Sequence, residues 1–148
     1  MSTIPLIASQ LLWLISAASM AQDAPEGLPR TASAEGAMAY ILSPADGAQL
    51  TSPITVRFGL RGMGVAPAGV TNANTGHHHL LIDVDQLPPQ NLPLPASDQV
   101  RHFGAGQTQT ELELPPGQHT LQLVLGDALH IPHDPPLRSE RITITIVE

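Results

Sequence analysis

Several short runs of the chain alternate apolar and polar residues with a period of two, the signature of half-buried strands. Met38–Leu42 forms the first run, and Pro44, Asp46 and Gly47 supply the turn after it. In "SPITVRFGLRG", Ile54, Val56, Phe58 and Leu60 fall on one face and Thr55, Arg57 and Gly59 on the other. His77–Val84 predicts a further strand. Thr108–Leu114 and His119–Leu125 predict a hairpin about Pro115, Pro116 and Gly117, with Leu112, Leu114, Leu121, Leu123 and Leu125 facing inward. The chain closes on a strand that puts Ile142, Ile144 and Ile146 on one face.

Between these runs lie Gly- and Pro-rich segments. Residues 62–76 predict a long loop. Residues 85–99, rich in proline, cannot form a central strand and are expected to run extended along a sheet edge. No window of about a dozen residues shows helical period. The pattern predicts an all-β domain over residues 37–148: an antiparallel, immunoglobulin-like β-sandwich of about seven strands, with a closed barrel as the alternative.

Composition changes this picture mainly at the N-terminus. Residues 1–21 are mostly apolar, carry no charged side chain, and end in the small residues Ser19 and Ala21. They read as a signal peptide, cleaved before Gln22. An uncleaved membrane anchor is the rival reading, but the segment is short for a span and contains Gln10. Residues 22–36 show no apolar periodicity and read as a flexible leader. A periplasmic or secreted bacterial protein follows, with no stable membrane insertion after cleavage. The net charge of −7 and the absence of lysine argue against binding nucleic acid, whose phosphates such a surface repels.

The candidate chemistry is histidine chemistry. The chain has seven histidines and no cysteine. Side chains alternate across a strand, so in "GHHHLLIDV" His77 and His79 share one face, while His78 goes with Leu80, Ile82 and Val84 toward the core. Residues i and i+2 lie about 6.6 Å apart, close enough for two imidazoles to converge on one ion. "LHIPHDPP" supplies a second pair, His130 and His133, in a loop stiffened by prolines. His77, His79, His130 and His133 are therefore the expected metal ligands, with His78, His102, His119 and Asp134 as additional ligands or outer partners. Imidazole with occasional carboxylate suits copper or zinc better than magnesium or calcium. Met38 and Met63 are read as packing residues. The alternative is a non-enzymatic structural or interaction domain of the cell envelope. In it the histidines, with Asp83, Asp127 and Asp134, form a hydrogen-bond network that fixes the loops. No nucleophile elbow, H-E-x-x-H or P-loop is present, and no general base stands out, so no enzymatic activity is expected; a hydrolase using a His-bound metal and water is the weakest of the readings.

Four stretches carry a resemblance: "GHHHLLIDV", "HFGAGQT", "PPGQHTLQL" and "HIPHDPP". Together they resemble a bacterial family of exported domains of unknown function, over about residues 38–148, some of whose members bear a transferred rod-shape-determining name. The resemblance implies an exported, mostly β domain whose motifs contain all the histidines; it implies no activity.

Overall fold

The computed structural model describes residues 27–148, so the expected signal peptide, residues 1–21, lies outside the described residues. The alternating runs form strands as expected, and the described residues contain nine of them in two sheets, with no helix. Strands β1 (Met38–Ser43), β3 (Ile54–Arg61) and β7 (Gln109–Leu112) make the smaller sheet, in the order β1-β3-β7. The larger sheet runs β2 (Gln49–Thr51), β9 (Ile142–Val147), β8 (Gly117–Gly126), β5 (Thr75–Ile82) and β4 (Gly64–Val65), and β6 (Val100–His102) also pairs with β5.

The inward faces of the two sheets share one core. Ile54, Val56 and Phe58 of β3 and Leu112 of β7 meet Leu80 and Ile82 of β5, Leu121 and Leu123 of β8, and Ile144 and Ile146 of β9. These are the parities that the alternation assigns to the interior, and burying them supplies the main drive for the sandwich-like arrangement.

Four expectations need correcting. The sheets are not purely antiparallel, because β2 pairs with β9 and β4 with β5 in parallel. Residues 62–76 are not all loop: β4 and the start of β5 fall within them. The run around Pro115–Gly117 is not a hairpin. β7 pairs with β3 in the smaller sheet, whereas β8 pairs with β5 and β9 in the larger one. The two prolines sit in a corner that carries the chain between sheets, and proline offers no amide hydrogen to a two-strand ladder there. Residues 85–99 do not follow a sheet edge; Leu87 and Leu94 fold over the outer face of the larger sheet, onto Leu81, Val100 and Val124.

The described part of residues 22–36 likewise differs from the flexible leader expected. Ala32 bridges to Asp134, Ser33 N donates to Asp134 O at 3.0 Å, and Asp134 N donates to Thr31 O at 2.9 Å. A segment without apolar periodicity is held here by backbone hydrogen bonds, to which hydrophobic patterning is blind.

Strand β5 is central, and both of its faces are covered: every residue from Gly76 to Ile82 is buried. One face points into the shared core. The other carries His77, His79 and Leu81, with β6 beside them in the sheet and the loops around residues 85–99 and 127–137 laid over them.

Candidate metal centre

The strand parity separates the three consecutive histidines as expected. His78 packs in the core against Phe58, with ring centroids 5.2 Å apart. Asp83 adopts a positive φ of 54°, ending the alternation, and Val84 packs with Leu81 rather than continuing the His78 face. His77 and His79 project together from the outer face, their ring centroids 4.7 Å apart.

Register brings in the third histidine. In the antiparallel β5–β6 pair, His102 stands directly opposite His79, so both rings emerge on the same face, with centroids 5.1 Å apart. The fourth comes from the loop after β8. His130 sits at φ 66°, in the left-handed region, and its ring lies 4.4 Å from that of His102 and 4.9 Å from that of His77. His77 Nε2 and His130 Nδ1 are 3.0 Å apart.

His77, His79, His102 and His130 each offer a ring nitrogen, and the four nitrogens lie within 4.8 Å of one another. Four nitrogens about 2.1 Å from one ion lie about 3.4 Å apart in a tetrahedral set, so closing the widest pair by about 1.4 Å or less brings all four onto one ion. Two glycines make the room. A Cβ on Gly126 would lie 2.6 Å from His79 Cε1, and one on Gly104 would run into the His102 ring.

Burial keeps the inner imidazoles neutral. Desolvation first, then the neighbouring histidines, hold His77 down to about 4 and His79 down to about 3. For His77 the Asp127 carboxylate pulls the other way. Desolvation, then His130, also lowers His102. His77 and His79 are therefore unprotonated at neutral pH, each ring with one nitrogen lone pair. His77 Nδ1 and both nitrogens of His79 are buried without a hydrogen-bond partner. Unpartnered buried polar atoms cost about 1–3 kcal/mol each, and an ion bound among them would engage such nitrogens.

The remaining expected residues go elsewhere. His133 does not join the cluster, although sequence spacing pairs it with His130. Backbone bridges Gly126–Pro132 and Val124–Arg138 return the chain to β8, and His133 ends between carbonyls, with Nε2 3.2 Å from Thr75 O and Nδ1 3.4 Å from Leu125 O. His102, expected as an additional or outer ligand, stands in its place. His119 places Nδ1 2.7 Å from Asp83 Oδ2 and Nε2 2.8 Å from the Pro115 carbonyl. Asp134 pairs with Arg30 at 3.2 Å and does not belong to the cluster. His78, also expected as a possible ligand, has both nitrogens buried in the core without partners, and burial alone lowers it to about 4. Met63 packs with Ala39, Leu125 and Leu137, while Met38 is exposed on β1.

The architecture is an all-β sandwich with a four-imidazole cluster on one sheet's outer face. Residues 56–147, more than half of the chain, match a family described as "Domain of unknown function (DUF4399)", and the protein belongs to that family. No curated protein and no solved structure gives a significant match. Among the described residues no helix is long and apolar enough to cross a membrane.

Proposed function

We propose that the protein is an exported, non-enzymatic transition-metal-binding protein that takes copper or zinc through His77, His79, His102 and His130. The observation that carries this is the convergence of four imidazole nitrogens within 4.8 Å, those of His77 and His79 from buried rings that are neutral at pH 7. A set of imidazoles without thiolates suits Cu(II) or zinc and is poor for magnesium or calcium. The reading of export rests on residues 1–21, with their apolar stretch and small-residue end.

Purified protein dialysed against Cu(II) or Zn(II) at neutral pH should retain close to one ion per chain, measured by elemental analysis. The double variant His77→Ala, His79→Ala should retain none, and His133→Ala should retain it. Absence of measurable affinity for either ion in the native protein would overturn the proposal. The second reading, histidines that fix loops, is favoured at His119 and His133, whose nitrogens face a carboxylate or carbonyls. Substituting these should lower thermal stability equally with and without metal.

A further inference from the structure

His130 comes from a loop, where a ligand is placed only as well as its backbone is held. The loop turns on Asp127. Its Oδ1 accepts from Leu129 N at 2.9 Å and Ile131 N at 3.0 Å, and its main chain closes the same turn through His130 N→Asp127 O and Asp127 N→Ile131 O, both 2.9 Å. These bonds bracket His130 and hold it in its left-handed conformation, which costs a non-glycine residue about 1 kcal/mol or more.

The second carboxylate oxygen is taken by a different part of the chain. Asp127 Oδ2 accepts from Thr31 Oγ1 at 2.7 Å. Arg30 beside it donates from Nε to Pro132 O at 3.1 Å and from its guanidinium to His133 O, and also pairs with Asp134. Residues 30–33 thus brace residues 127–134 from outside, although they precede the family match that begins at residue 56. Asp127 is only 6% exposed, and its charge lies close enough to be felt at His77. A buried carboxylate beside the neutral His77 and His79 rings is matched in sign to a dication bound among them.

We propose that Asp127 is the positioning and charge-balancing residue of the metal centre, and that Thr31 of the N-terminal segment holds it in that role. The inference rests on the metal reading of the four-histidine cluster. Asp127→Asn keeps an acceptor for Leu129 N and Ile131 N but removes the charge; Thr31→Val removes the hydroxyl at nearly constant shape.

Zn(II) and Cu(II) affinities of the full chain, measured by competition with a chelator, should fall about 10–100-fold in Asp127→Asn, the range usual for outer partners of metal ligands. They should fall by a smaller factor in Thr31→Val. The His130 imidazole resonance of the metal-free protein should shift in both variants, while that of His119 stays in place. If native protein binds metal and both variants bind it equally well, the inference fails and the metal site stands. If native protein binds no metal, the site itself fails. Should Asp127→Asn not fold, Thr31→Val decides alone: native affinity with an unmoved His130 resonance overturns the inference.

Discussion

At the scale of single residues, the centre depends as much on what is missing as on what is present. Gly126 faces His77 across the β5–β8 ladder and leaves the space that the His79 ring fills. A methyl there would lie 2.6 Å from His79 Cε1 and 3.3 Å from His130 Cα, so the ring must move, and it is wedged and fully buried. Gly126→Ala should therefore weaken metal binding by at least about tenfold. Gly64→Ala, whose Cβ would meet Thr75 Cγ2 at an ordinary 3.6 Å, should bind as the native chain does. Equal affinities in a titration of the two variants would show that the glycine does not shape the centre. The residue scale is also where the sequence is most readable. Strand parity alone separates His77 and His79 from His78, because alternation is local. It misplaces His133 because an i, i+3 spacing in a proline loop says nothing about a positive φ at His130 or about bridges that turn the chain between the two.

At the scale of elements, register decides membership. His102 joins the centre because β6 pairs with β5 opposite His79, a relation between residues far apart in the chain that no local pattern encodes. The Gly at 104 that clears its ring is the one hint in the sequence, and a weak one. The corner after β7 was hidden for the same reason, since alternation marks the longer strands and most of their inward faces but not which sheet each strand enters. That corner is pinned by His119, which reaches from β8 to Asp83 at the end of β5 and to the Pro115 carbonyl. Burial lowers the His119 pKa, but the Asp83 hydrogen bond, the Pro115 carbonyl and the Asp83 charge together outweigh it, and the net shift is upward. A raised folded pKa means the folded state binds the proton more tightly than the unfolded chain. The stabilisation is thus complete below the unfolded value of about 6.5 and is lost as pH rises through the higher folded value. Asp83→Asn retains an acceptor for Thr120 N but not the charge. It should cost about 1 kcal/mol at pH 6, a modest figure because Asp83 is partly solvated, and progressively less toward pH 9. Denaturant melts at the two pH values check this, and a difference from native that does not shrink with pH would count against a charged pair.

At the scale of the whole molecule, the four imidazoles bring together three separate parts of the chain. His77 and His79 sit on the central strand, His102 on a three-residue strand, and His130 on a loop braced by the N-terminal segment. The two sheets share their own apolar core on the opposite face of β5, so the fold does not depend on an ion to form. The outer face is different. It holds a small apolar cluster around Leu81, Leu94, Val100 and Val124 beside a set of buried, unpartnered nitrogens. An ion that engages those nitrogens binds the folded arrangement more tightly than the unfolded chain, and it stabilises the fold by up to about 2.7 kcal/mol at a free concentration one hundred times its dissociation constant. Loading with Zn(II) should raise the melting temperature of the native protein, and EDTA should reverse the gain without unfolding the chain at room temperature. Hydrogen exchange should slow at β6 and residues 127–131 and stay unchanged at β3 and β9. Protection distributed evenly over both sheets would instead mean that the ion acts on the fold as a whole, and that the outer face is not a separable metal-binding layer laid over a self-sufficient sandwich.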